Sequence, residues 1–180
     1  TRNQGRLLEA CLTSLRSTTY PDVEVVVVDH ESTDQRARDV IDALADDPNA
    51  VVVPFSGPFN FAAMCNRGVE AASGDVLVLL NNDTEVVAPD WLDEFVGQLG
   101  RPEVGVVGAL LLFTDGTIQH AGVHPGVGGL MGHGHKHRPG DDPGYQGRLT
   151  VAHEVAAVTG ACLGTTRALW DRLGGLDEEH

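Results

Sequence analysis

The 180 residues are 42% hydrophobic and 21% charged, proportions that support one folded domain and exclude a disordered or fibrous chain. Acidic residues outnumber basic ones 26 to 12, a formal net charge of −14 that excludes polyanions as default partners, so no nucleic acid is expected. Cys11, Cys65 and Cys162 are odd in number and far apart, which excludes a disulfide framework or zinc ribbon and suits a reducing compartment.

Leu7, Leu8, Cys11, Leu12 and Leu15 recur at helical spacing, and Tyr20-Pro21-Asp22 marks a turn after them. Val25 to Val28 is a β-branched run ending in Asp29, the pattern of a strand buried on both faces of a parallel sheet. Ser32-Thr33-Asp34 offers N-cap residues for a helix with Ala37, Val40, Ile41 and Leu44 inward. Val51 to Val53 reads as a second strand, and Phe61 to Ala72 as a helix with Met64, Cys65, Gly68 and Val69 inward. Val76 to Leu80 is a third apolar run, stopping at Asn81-Asn82-Asp83. Strands alternating with amphipathic helices predict right-handed β-α-β crossovers and a doubly wound α/β sheet.

The pattern changes after Pro89. Trp91, Leu92, Phe95, Val96 and Leu99 mark a helix, Val104 to Phe113 a long strand, and Thr114-Asp115-Gly116-Thr117 a hairpin turn into Ile118 to Val123, so the sheet is expected to become mixed. His124 to Arg148 is rich in Gly, His and Pro without periodicity, the mark of a long loop of the kind that binds or covers ligands. Val155 to Val158 predicts a late strand, followed by a helix around Ala168 to Leu173 and a break at Gly174-Gly175. No apolar run approaches ~18 residues and no charged leader precedes one, so neither a membrane span nor a signal peptide is expected.

Ligands of open α/β sheets settle beyond the carboxyl ends of the strands, where both acidic clusters fall. Asp29 can accept from a ribose hydroxyl or a base N–H there, or merely cap the following loop. Asn81-Asn82-Asp83-Thr84 supplies hard oxygen ligands suited to Mg2+ or Mn2+, or forms an Asx-rich turn of a common sort. The spacing of His120 and His124, and the alternation of His133, His135 and His137, raise the idea of zinc. His120 and His124 fall on or just after a strand, where an i, i+4 pair does not share a helical face, and the triplet lacks Cys or nearby carboxylate partners, so a solvated loop is the expected outcome.

In order along the chain, these segments resemble bacterial family 2 glycosyltransferases that transfer rhamnose and related sugars to surface polysaccharides. Thr1-Arg2-Asn3 resembles the end of the family's Pro-Thr-x-Asn motif, and Val25 to Asp34 the strand ending in Val-Asp-(Asp/Asn)-x-Ser-x-Asp, with His30 where an acid or amide is common. Phe59-Asn60-Phe61 with Asn66-Arg67-Gly68 is similar to the segment that closes over the nucleotide. Leu80 to Thr84 is similar to the Asp-x-Asp metal motif, with Asn81 in place of the first Asp. Gly116 to Gly122, Thr159 to Cys162 and Gly174-Gly175-Leu176-Asp177-Glu178 resemble later landmarks in the same order.

The resemblance implies a GT-A, Rossmann-like α/β/α sandwich with a mainly parallel, mixed central sheet. It implies a single domain over residues 1–180 without the family's first apolar strand. The acidic segment that follows the last landmark and holds the general base is expected beyond His180. It further implies inverting transfer of a sugar from a UDP- or dTDP-linked donor to a glycan or lipid-linked acceptor, in the cytoplasm at the inner face of the membrane, with a homodimer compatible. Thr1, Asn3, Asp29, Asn60, Asn66, Arg67, Asn82 and Asp83 are the implied nucleotide-sugar contacts. Asp83 and Asn81 are the implied ligands of Mg2+ or Mn2+. Asp177 and Glu178 are the acids nearest the catalytic place, assigned to acceptor binding or support. Two rivals stand beside this reading: a non-catalytic nucleotide-sugar-binding or interaction domain of the same fold, and a nucleotidyltransferase, whose glycine-rich basic loop is not seen.

Overall fold

A computed structural model describes residues 1–126 and 129–179. Helix α1 (Gly5–Leu15) opens the chain and is followed by β1 (Val25–His30), α2 (Gln35–Leu44), β2 (Ala50–Phe55), α3 (Phe61–Ala71) and β3 (Val76–Leu80). β1 and β2 pair in parallel, Val25 with Ala50 through His30 with Phe55. α1 leans on α2 at Gly5, where a Cβ would lie 2.5 Å from the Ala37 backbone nitrogen; only a residue without a side chain lets the two helices approach so closely. Leu8 and Cys11 are buried, as the periodicity predicts, but Leu7 is exposed.

Helix α4 (Trp91–Leu99), β4 (Val106–Gly108) and β5 (Leu111–Leu112) come next. The long strand expected from Val104 to Phe113 is therefore broken after Gly108, where pairing with the neighbouring strand ends. β6 (Ile118–His120) pairs with β5 across the expected turn. In place of an irregular loop after His124, the structure forms a hairpin of β7 (Val123–Pro125) and β8 (Met131–His133), then 3-10 turns over Tyr145–Thr150. The part of that expected loop at Val127 and Gly128 lies outside the described residues. So does His180, the residue beyond which the resemblance puts the general base; Asp177 and Glu178 are the last predicted site residues whose surroundings the structure describes.

The late strand also moves. Val155 to Val158 makes only an isolated bridge, Ala157 to Val123, whereas β9 (Cys162–Thr166) runs antiparallel between β3 and β4. Sequence periodicity misses β9 because Cys-Leu-Gly-Thr-Thr has no aliphatic run. Gly164 is required there: a Cβ would meet the Phe95 ring at 2.5 Å. α5 (Arg167–Leu173) begins at Thr166, whose hydroxyl accepts from Leu169 N, and ends at Gly174 in the left-handed region with φ 79°, the usual helix C-terminus. Val69, Leu77 and Trp170 form a buried cluster against which Cys65, Leu79 and Leu176 pack.

The sheet is mixed, with parallel pairing confined to β1 and β2 among the described residues, and it is interrupted between β1 and β3. A cleft of about 1020 Å³ is lined by Val25 to Val28 of β1 and Val76 to Leu80 of β3. That gap explains why Val25, Val26 and Val28 are half-buried where the sequence pattern predicts full burial.

Candidate functional site

The upper end of the cleft lies at the carboxyl ends of β1 and β3, and Thr1 joins them. Its amino group donates to Val28 O at 2.6 Å and its carbonyl accepts from His30 N at 2.8 Å, the hydrogen-bond pair of a parallel ladder. On its other side the Thr1 hydroxyl accepts from Asn82 Nδ2 at 2.9 Å. These bonds flank Asp29 and immediately precede Asp83, so the two acids stand on one rim. Among the described residues Asp29 accepts long bonds from Ser32 N, 3.3 and 3.4 Å. Asp83 is exposed; neither a hydrogen bond nor an ion pair within the described chain engages its carboxylate.

Other implied contacts serve the chain itself. Asn3 Oδ1 accepts from Thr33 N at 2.6 Å and Asp34 N at 2.8 Å, fixing the loop from which Asp34 caps α2. Asn60 caps α3 through Ala63 N and donates to Glu178 O at 2.9 Å. Asn66 is wholly taken up by the segment after α5. Its Nδ2 donates to Leu176 O at 2.9 Å and Glu178 Oε1 at 2.8 Å, and its Oδ1 accepts from Leu176 N at 2.8 Å. Arg67 pairs with Glu70 at 2.7 Å with both side chains largely in solvent, a contact of little energetic weight. Asp177 Oδ1 accepts from Glu179 N at 2.9 Å. The Asn81 carbonyl accepts from the Thr84 hydroxyl at 2.7 Å, and the Asn81 amide donates to Ala161 O at 2.9 Å, which ties the acidic turn to the segment entering β9.

Of the loop triplet, His133 and His137 are exposed, as a solvated loop predicts, and His135 is half-buried. His120 is buried, and its Nδ1 lies 2.8 Å from Nδ1 of His133, while Thr159 N donates to its Nε2 at 3.4 Å. That donation puts the His120 ring proton on Nδ1, which donates to His133. His137 stacks on Phe113 with ring centroids 5.1 Å apart and planes 8° from parallel. Among the described residues no group of three or more His, Cys, Asp or Glu is placed to hold a metal ion, so the zinc idea has no third ligand. Pairing across a hairpin leaves no spacing signal in the sequence, which is why no motif announces the contact.

Burial, and after it the neighbouring His133 and His124, lowers the His120 imidazole to about 4. Unfolded imidazole titrates near 6.5, so the unfolded chain takes up a proton that the folded chain refuses. The stability contributed by neutral His120 is present above about 6.5 and is lost as pH falls towards about 4, by up to ~3 kcal/mol. Thermal unfolding between pH 7.5 and 4 should show this as a falling Tm, and His120→Gln should flatten the slope; parallel slopes for the two proteins would contradict it. The cysteines are free; burial pushes the Cys65 and Cys162 thiols up to about 11, too high for nucleophilic use near neutral pH. No helix among the described residues is long and apolar enough to cross a membrane.

The family model for glycosyl transferase family 2 matches residues 1–172. The chain belongs to that family. An O-antigen biosynthesis protein of Myxococcus xanthus, RfbC, is 42% identical over 165 residues, covering 91% of this chain and 13% of that protein. The uncharacterized protein y4gI of Sinorhizobium fredii is 42% identical over 182 residues, covering 100% of this chain and 20% of its own length. The chain thus spans a fifth or less of these two relatives. Among solved structures, a mannosyltransferase from Pyrobaculum calidifontis in complex with GDP-Man and Mn2+ superposes with TM-score 0.70 at 25% identity, over 99% of this chain and 46% of that one. TarS of S. aureus superposes with TM-score 0.61 at 16% identity, over 99% and 49%, a likeness of fold alone. The family and these neighbours give the α/β core its class, GT-A.

Proposed function

We propose that this family 2 chain binds a nucleotide sugar and belongs to an inverting glycosyltransferase that passes the sugar to a glycan or lipid-linked acceptor, in bacterial surface polysaccharide synthesis at the inner face of the membrane. The observation that carries this reading is the junction at Thr1, which sets Asp29 and the Asn81–Asp83 turn on one rim above the cleft. The O-antigen role of one relative and the GDP-Man and Mn2+ of one neighbour support it.

Asp83 fits a divalent cation: it is exposed, unengaged among the described residues and beside Asn81, whose amide oxygen is a second hard donor. A single carboxylate makes a weak site alone, so diphosphate oxygens and waters are needed to complete it. Bound Mg2+ or Mn2+ would supply charge stabilisation to the diphosphate as it leaves. Asp29 accepts from the nucleoside, Asn82 holds Thr1 in place, and Asn60 and Asn66 hold Glu178 and the neighbouring Asp177 towards the acceptor side. Holding donor and acceptor together contributes by effective molarity.

Calorimetric titration with UDP, dTDP and GDP, with and without Mn2+, tests the proposal. Metal-dependent binding is expected. An interaction module would show none, and a nucleotidyltransferase would instead release pyrophosphate from a sugar phosphate and a nucleoside triphosphate.

A further inference from the structure

His120 closes β6, is 1% exposed and touches two other parts of the fold. Its Nδ1 lies 2.8 Å from Nδ1 of His133 on β8, and its Nε2 accepts from Thr159 N at 3.4 Å. The second contact leads on to the acidic turn. Thr159 Oγ1 accepts from Ala161 N at 3.3 Å, and Ala161 O accepts from the amide of Asn81 at 2.9 Å, two residues before Asp83. Gly160 lies between them against Phe61, where a Cβ would stand 3.3 Å from the ring, so the segment has little room to shift. Both contacts of His120 depend on one tautomer: with the proton on Nδ1 the ring donates to His133 and offers its Nε2 lone pair to Thr159. His133 is exposed and meets protons from solvent. A proton taken up at its Nδ1 sets two N–H groups face to face. Relief comes from breaking the imidazole pair or from moving the His120 proton to Nε2, where it opposes the Thr159 N–H. Either way one link is lost.

We propose that His120 is a positioning residue for the Asn81-Asn82-Asp83 turn, and that His133 is its proton-sensitive partner, holding His120 in the tautomer that Thr159 requires. That the turn is the metal side of a nucleotide-sugar site rests on the functional reading above; the relay through Thr159 and Ala161 does not. The charges around the pair leave this role to the imidazoles. His133 of β8 and His124 of β7 act on His120, while β5 and residues 155–166 carry no titratable group but the Cys162 thiol, pushed up to about 11 by burial. In the stretch after β8, His135 acts on Asp142, Lys136 and His137 are held at the Phe113 ring, and Arg138 pairs with Asp142. Burial, then His133 and His124, lowers His120 to about 4, so above that pH an added proton belongs to His133.

The test compares the unaltered chain with His133→Asn, whose Oδ1 accepts from His120 but takes up no proton, and with His133→Ala, which supplies no acceptor. Measurements are made at about pH 7.5 and about pH 5.5, on either side of ordinary imidazole titration. Both substitutions fall on an exposed residue, which the fold tolerates. Amide hydrogen exchange at Asn81, corrected for its intrinsic pH dependence, is expected to be roughly 5-fold faster at the lower pH in the unaltered chain. It should be slow at both in His133→Asn and fast at both in His133→Ala. Kd for UDP, dTDP or GDP in Mn2+ should follow the same order, read as the ratio to His133→Asn at each pH so that protonation of the diphosphate cancels. Exchange at Asn81 that is alike in all three proteins, or a pH effect that persists in His133→Asn, overturns the inference whatever the nucleotide does. Exchange in the expected order with no nucleoside diphosphate bound at either pH upholds the relay and overturns the functional reading.

Discussion

Asp83→Ala is expected to abolish metal-dependent nucleotide binding, raising Kd for the preferred nucleoside diphosphate in Mn2+ by on the order of 100-fold, since even an outer partner of a metal ligand is worth about 10–100-fold. Asp83 is the sole carboxylate of its turn, and Asn81 cannot replace the lost charge. Neither a hydrogen bond nor an ion pair among the described residues engages the carboxylate and the residue is exposed, so stability should change by no more than ~0.5 kcal/mol. Asp83→Asn, which keeps the shape and loses the charge, should behave as the alanine variant does. Calorimetry with and without Mn2+ reads the first effect and thermal unfolding the second. Undiminished Mn2+-dependent binding in either variant would remove Asp83 from the metal site, and loss of binding accompanied by a large fall in Tm would show that the side chain acts through the fold.

The contrast between Asp83 and its neighbours shows what a linear reading can and cannot find. Strands β1, β2 and β3 announce themselves because Val and Leu runs must be buried and are bounded by turn residues. Their acids then fall at the carboxyl ends for topological reasons, so Asp29 and Asp83 are legible before any contact is known. The junction at Thr1 is not, because hydrogen bonds between residues 81 positions apart leave no periodicity. β9 is hidden for a packing reason: the ring of Phe95 demands a glycine where a strand would ordinarily show a β-branched residue. The His120–His133 contact is hidden because the hairpin that creates it is rich in Gly and His and has no alternation of its own.

Asn66 shows the same limit from the functional side. The motif around it points to the nucleotide, yet its amide spends every bond on the segment carrying Asp177 and Glu178. A residue that stands in a ligand-binding motif can therefore act by positioning the next landmark. Gly175 supports this: its φ is 80°, and a Cβ there would strike Asn66 Oδ1 at 2.5 Å. The glycine pair is thus needed both to end α5 and to let the chain pass against Asn66.

Asn66→Asp isolates that role with almost no change of shape. The new carboxylate can still accept from Leu176 N, but it cannot donate to Leu176 O, and it faces the Glu178 carboxylate across the 2.8 Å now spanned by a hydrogen bond. Losing one neutral and one charge-assisted bond, partly offset by solvent at Glu178, costs about 2 kcal/mol locally. Amide hydrogen exchange at Leu176 should accelerate by roughly 30-fold, while exchange in β1 and β2, far along the chain and held by their own ladder, should not move. Asn66→Ala, which also removes the acceptor of Leu176 N, should accelerate exchange there at least as much. If the segment presents the acceptor side, sugar transfer should drop in kcat by more than nucleotide affinity drops in Kd. Exchange at Leu176 that matches the unaltered chain would show that Asn66 does not hold the segment, and a loss confined to nucleotide Kd would return Asn66 to the nucleotide.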